Sequence, residues 1–198
     1  KDEVLYCLEK AHSISTEGRF GPVWLDIPMD VQSSRVDENN LKKYTENKTD
    51  GDFYSMDNDK IIEMLENAKR PVIMAGHGVS LSNSGQDFKA LVDKLKVPVI
   101  LTWSGINILD HDHPYNFGTA GVYGQRRSNF IVQNCDLLLV LGSRLAVPQI
   151  GYDVKNFARD ATIIMVNNDK NELTKSSVPW RSVYSDCGVF IRNLLNRE

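Results

Sequence analysis

At 198 residues, 41% of them hydrophobic, the chain carries enough apolar material for one good core and part of another. A formal net charge of −3 without any basic stripe argues against a nucleic-acid binder, and no apolar run approaches the roughly 20 residues that a membrane helix needs. Cys7, Cys135 and Cys187 are odd in number and widely scattered, which reads as reduced thiols in a cytoplasmic protein rather than a disulfide frame.

The chain begins at Lys1 with neither a charged n-region nor an apolar h-region, and reads as a piece cut from a longer polypeptide. Val4, Leu8 and Ala11 stand at helical spacing within residues 2–17, with Gly18 as a C-terminal stop. Residues 23–27 then read as a short strand closed by Pro28. One helix and one strand cannot make a core, so residues 1–32 are expected to be the tail of a preceding domain. Between 33 and 56 Asn, Asp, Lys and Thr dominate and apolar residues are isolated, the composition of an interdomain linker.

The main domain is expected over 57–198. Its first helix places Ile61, Ile62 and Leu65 on one side, with Asp57 as N-cap. Pro71 opens a buried strand through Ala75. Ser84 and Asp87 have the spacing of a capping box, and Phe88, Leu91, Val92 and Leu95 form the buried face of the helix that follows. A second strand is expected over 97–101, a short third one near Phe117, and a helix over 124–134. Residues 137–141 are five consecutive apolar side chains, the mark of a strand buried on both faces. A loop with a weak helix spans 146–159, a fifth strand 162–166, an edge strand sits at 183–184, and a helix over 186–196 closes the chain. Alternating strands and helices predict a doubly wound parallel sheet with right-handed crossovers.

In such sheets ligands sit beyond the carboxyl ends of the strands, where strand order reverses. Gly76, His77 and Gly78 follow the first strand, where glycine amides can approach a phosphate; a tight turn without ligand is the alternative. Leu81 stands where a dinucleotide fingerprint has its third glycine, and no acid ends the second strand, so a dehydrogenase is disfavoured. Arg144, two residues past a buried strand, suits a clamp on phosphate or carboxylate, or else a salt bridge to a neighbouring loop. Asn167, Asn168 and Asp169 can reach a ribose or adenine, or serve as turn formers and N-cap for a helix near Lys170. Trp103, Tyr123 and Trp180 could stack on a planar ring or pack internally. Asp110, His111, Asp112 and His113 read as a solvated turn rather than a metal site, and Arg126 and Arg127 as a solvated helix face. No nucleophile–base set can be argued from spacing, and Cys135 reads as a small hydrophobe.

At these residues the chain resembles the acetolactate synthase-like thiamine-diphosphate enzymes. Residues 18–32 (GRFGPVWLDIPMDVQ) resemble the end of the pyrimidine-binding domain of that family, and residues 69–78, 118–124, 142–144 and 157–175 resemble successive signatures of its central domain, in unchanged order. The resemblance implies a Rossmann-like three-layer α/β/α domain with a six-stranded parallel sheet of order 3-2-1-4-5-6. It implies a homo-oligomeric, magnesium- and thiamine-diphosphate-dependent parent enzyme acting on a 2-oxo acid such as pyruvate, with the other domains of that parent as partners. The activating glutamate and the Gly-Asp-Gly…Asn magnesium motif are not found here, so this piece by itself is expected to be inactive. In flavin-carrying members the central domain holds FAD. Carried over by position, the binding residues are Gly76, His77, Gly78, Thr102, Trp103, Ser104, Gly105, Gly121, Val122, Tyr123, Gly124, Gly142, Ser143, Arg144, Asn167, Asn168, Asp186 and Cys187. His77 interrupts a glycine run, Asn167 replaces an aspartate, Val122-Tyr123 replaces Met-His, and Pro148 stands where a second arginine is common. Three roles remain open: a nucleotide-docking domain carrying FAD or ADP, a non-catalytic spacer with an empty crevice, and a regulatory ADP sensor.

Overall fold

The computed structural model describes residues 1–45, 58–175 and 180–197, and the chain divides into two compact units, Lys1–Asp52 and Phe53–Glu198. The first unit carries helix α1 (Val4–Thr16), followed by Gly18 at φ +57° in the left-handed conformation expected of a helix stop. Residues 42–44 lie back along α1: Lys42 pairs with Glu3 at 2.8 Å, and the Tyr6 and Tyr44 rings meet edge-on at 5.6 Å. The strand expected over 23–27 does not form. A strand exists only through a ladder partner, and the described residues of this unit hold none. The segment instead leads into a single turn, α2 (Met29–Gln32), leaving Trp24 90% and Met29 81% exposed.

The second unit contains, in order, α3 (Asn58–Asn67), β1 (Pro71–Ala75), α4 (Gly78–Leu81), α5 (Gly85–Leu95), β2 (Val99–Leu101), β3 (Asn116–Thr119), α6 (Arg126–Asn134), β4 (Leu137–Leu141), α7 (Val147–Ile150), β5 (Thr162–Asn167), α8 (Lys170–Leu173), β6 (Trp180–Tyr184) and α9 (Cys187–Leu195). The six strands form one sheet, all parallel, in the order β3-β2-β1-β4-β5-β6. This is the expected doubly wound arrangement, and its order reverses between β1 and β4.

Alternating side chains explain why both faces are apolar. Ile73, Ala75, Leu139, Leu141, Ile164 and Val166 point to one face, where α3, α5 and α9 cover them with Ile61, Phe88, Leu91, Phe190 and Ile191. Val72, Met74, Leu138, Val140 and Ile163 point to the other, against Val132 of α6 and Phe157. Every side chain of β4 is buried, each contributing about 1.5–3 kcal/mol of transfer free energy. The N-terminal ends of β1 and β4 are stapled by Asp136, whose carboxylate accepts the amides of Lys69 (2.8 Å) and Arg70 (2.9 Å).

Local departures from expectation have local causes. Ser84 stands at the N-cap of α5, but its hydroxyl donates to Val79 O (3.1 Å) and pairs with Ser82 Oγ (2.7 Å), because α4 ends beside it and offers nearer partners. No capping box forms, and Asp87 instead meets Arg192 of α9 at 3.3 Å. β2 begins at Val99 rather than 97, since Pro98 has no amide to give a ladder. α6 begins at Arg126 because the amides of Gly124 and Gln125 close turns onto Gly121 and Thr119. Asp57, expected as an N-cap, lies outside the described residues. The turn at 110–113 is latched to α5 by Lys89–Asp110 (2.6 Å) and Asp93–His113 (3.1 Å).

Candidate functional site

The carboxyl ends of the six strands bring the predicted residues to one edge of the sheet. At the switch point the backbones of β1 and β4 continue to bond beyond the strands: Gly76 N–H donates to Leu141 O (2.8 Å) and Gly78 N–H to Gly142 O (3.0 Å). These amides were expected to face a phosphate, but the neighbouring chain consumes them. What the glycines supply is closeness. A Cβ on Gly76 would lie 2.5 Å from Gly142 O, and one on Gly78 would lie 2.6 Å from Gly142 Cα. Gly142 is itself at φ +59°, and its missing Cβ makes room for Cys187 Sγ.

The accounting of amides then isolates a different set. Among the described residues, the amides of His77, Ser143 and Arg144 donate to no protein acceptor, and at the rim the same holds for Trp103, Ser104 and Tyr123. The first three belong to abutting segments, since Gly76 stands against the Cα of Ser143. The Arg144 side chain is 57% exposed. Ser143 is buried while His77 and Arg144 are exposed, and donors not used by the protein on adjoining segments, together with an exposed guanidinium, suit an anionic group.

Around this centre the other predicted residues hold the loops in place. Asn167 is buried at the end of β5; its Nδ2 donates to Ser143 O (3.3 Å) and its Oδ1 accepts the Asp169 amide (3.0 Å). Ser143 Oγ donates to Gln149 Oε1 (3.3 Å) and accepts the Leu145 amide (3.2 Å). His77 Nδ1 lies 3.0 Å from Ser104 O, and because a carbonyl only accepts, this nitrogen carries the proton. Thr102 is buried, with its amide on Ala75 O (3.0 Å), and Gly105 N–H closes onto Thr102 O. Asp169 caps α8 through the Asn171 amide (2.9 Å), while Asn168 is half-buried at the rim. Asp186 spends its carboxylate as the N-cap of α9, accepting from Gly188 and Val189. Burial pushes the Cys187 thiol up to about 12, which makes it an inert packing group.

The loop after β3 forms the far rim. Gly121, at φ +115°, exchanges hydrogen bonds with the side-chain amide of Asn129, and Val122 N–H donates to Pro148 O (2.8 Å). Gly124 packs against Thr119 and Ala120. Tyr123 reaches Trp103, ring centroids 4.9 Å apart, and both rings are more than half exposed. Trp180 instead sits in β6 with its indole N–H on Leu173 O (2.9 Å), a packing role.

One residue at this edge was not singled out from sequence. Glu172 on α8 is 5% exposed, with Arg144 Nε 3.8 Å from one carboxylate oxygen and Lys175 on the other. The acid and lysine three apart read like any exposed helix pair, and only the burial distinguishes them. The described residues contain no His/Cys/Asp/Glu group able to hold a metal ion, and no helix among them is long and apolar enough to cross a membrane.

Residues 58–194 match the family described as thiamine pyrophosphate enzyme, central domain. Over 98% of its length the chain is 31% identical to the probable acetolactate synthase large subunit of Methanocaldococcus jannaschii and 32% identical to the acetolactate synthase isozyme 1 large subunit of Escherichia coli strain K12. It spans about a third (34%) of each of these relatives. Among solved structures it resembles a thiamine diphosphate-dependent 4-hydroxybenzoylformate decarboxylase from Rhodococcus jostii RHA1, at TM-score 0.76 and 22% identity, covering 98% of this chain and 37% of that one. A benzoylformate decarboxylase from Polynucleobacter necessarius is similar at TM-score 0.71 and 23% identity, covering 100% of this chain and 37% of the other. At such identities the structural likeness speaks to the fold.

Proposed function

Since the chain belongs to the thiamine pyrophosphate enzymes, whose central domain its residues 58–194 form, we propose that this domain docks a nucleotide, ADP or FAD, at the β1/β4 switch point. On this reading it also joins the catalytic domains of a larger acetolactate synthase-like enzyme. That parent would be a homo-oligomer acting on a 2-oxo acid such as pyruvate, with thiamine diphosphate and magnesium held outside this chain. The observation that carries the docking role is the exposed Arg144 guanidinium just past β4, on adjoining segments whose His77, Ser143 and Arg144 amides donate to no acceptor among the described residues. Arg144 and these amides would hold the phosphates, with Trp103 and Tyr123 at the rim available to a planar ring. A bound flavin would supply a redox-capable ring, whereas ADP would supply binding energy alone.

The test is calorimetric titration of ADP and of FAD into the wild-type chain and Arg144→Ala. A charge-assisted hydrogen bond to phosphate contributes roughly 1.5–3 kcal/mol, so the substitution should weaken binding by about one to two decades with little change in melting temperature. Arg144→Lys should recover part of the loss, because an ammonium lacks the planar fork. Equal binding by wild type and Arg144→Ala would make the arginine a structural partner of Glu172 and overturn the reading. Failure of the wild type to bind either ligand would return the domain to a spacer.

A further inference from the structure

Burying a carboxylate is costly unless cations compensate it. Glu172 is 5% exposed, and among the described residues Lys175 and Arg144 stand within ion-pair distance of it. They are not equivalent. The Lys175 ammonium donates directly to Oε2, whereas Arg144 approaches Oε1 only to 3.8 Å through Nε, outside hydrogen-bond range. Arg144 is therefore near the acid without being consumed by it, and its side chain stays 57% exposed.

We infer that Lys175, which lies outside the predicted nucleotide contacts, is a positioning residue: it serves as counter-ion to Glu172 and so leaves the charge of Arg144 to a bound phosphate. The inference rests on the nucleotide-docking reading above. Without Lys175 the buried carboxylate draws Arg144 inward, and the ligand must compete with Glu172 for the guanidinium. Such an ion pair competes at the level of about 1 kcal/mol, so Lys175→Met should weaken ADP binding roughly five- to tenfold.

Calorimetric titration with ADP on the 198-residue chain separates this from its alternatives. Lys175→Met should lose five- to tenfold, Lys175→Arg should stay near wild type, and Glu172→Gln should bind at least as tightly as wild type. The double variant Glu172→Gln/Lys175→Met should return to within about twofold of wild type, a rescue that general structural damage would not allow. Arg144→Ala/Lys175→Met should bind no worse than Arg144→Ala alone, because the effect runs through the arginine. If Arg144→Ala weakens binding but Lys175→Met does not, the role of Lys175 is overturned while the docking site stands. If Lys175→Met weakens binding equally with and without Arg144, the lysine acts on the ligand directly and the inference fails. If wild type and Arg144→Ala bind alike, the docking reading and this inference fail together.

Discussion

Gly142→Ala places a methyl group at the tightest point of the switch region. The position has φ +59°, a conformation that costs an L-residue about 1–2 kcal/mol. The added Cβ would lie 2.6 Å from Gly78 Cα, 2.9 Å from Gly78 C and 2.9 Å from Cys187 Sγ. Two of these neighbours are backbone in the segment bonded to Gly142 itself, so relief requires β1 and β4 to part at their carboxyl ends. Overpacking of that kind adds about 1–3 kcal/mol, for a total of about 3 kcal/mol. For a unit of this size the loss corresponds to a fall in melting temperature of about 6–12 °C, measured by thermal unfolding under circular dichroism. Gly85→Ala is the matched control, since a Cβ there meets nothing within 4 Å and the residue opens α5. That variant should melt at or slightly above the wild type. If Gly142→Ala melts within about 2 °C of the wild type, the argument that close backbone approach requires these glycines is wrong.

Burial alone would raise the Asp136 carboxyl, but the amides of Arg70 and Lys69 outweigh it and hold the group below its ordinary value of 3.8. A depressed pKa contributes stability above the unfolded value and loses it as pH falls through the folded one, so Asp136→Asn should cost about 1 kcal/mol near neutrality, discounted for partial exposure, a cost that starts to decline near pH 4 and vanishes only below the folded pKa, itself under 3.8. Urea unfolding at a series of pH values checks this, and a difference that persists undiminished in acid would contradict it. Burial pushes the Cys135 and Cys187 thiols up to about 12, while Cys7 is exposed. A thiol reagent at mildly alkaline pH should therefore modify one cysteine rapidly in the native chain and all three after denaturation, and a second fast thiol would refute the burial argument.

The sheet was legible because its signal is redundant. Uninterrupted apolar runs at 72–75, 137–141 and 163–166 have no stable place except between two layers, and the alternation with helices leaves few topologies to choose among. Where expectation failed, the deciding partner lay elsewhere in the chain. Residues 23–27 have strand composition, yet a strand requires a ladder and the described part of that unit provides none. Ser84 and Asp87 have capping-box spacing, yet Val79 O and Arg192 compete for them. Neither competitor can be read from the local window.

The candidate site repeats this division in sharper form. Its location follows from topology, and Arg144 follows from its place after a buried strand. The role of each glycine does not, because sequence shows that an amide exists but not which carbonyl it meets. Gly76 and Gly78 look like phosphate cradles and turn out to bind strand to strand, while among the described residues the amides of His77, Ser143 and Arg144 meet no protein acceptor, which their side chains gave no hint of. Backbone donors cannot be removed by changing a side chain, so on this reading substitutions at most predicted contacts alter packing more than recognition. Asn167→Ala would release Ser143 O, and Asp186→Ala would uncap α9, both before any ligand is considered. Charge is the property of this edge that can be changed without moving the backbone. It is concentrated in Arg144 and in the acid–lysine pair behind it, which makes those three side chains the ones through which ligand recognition can be separated from fold.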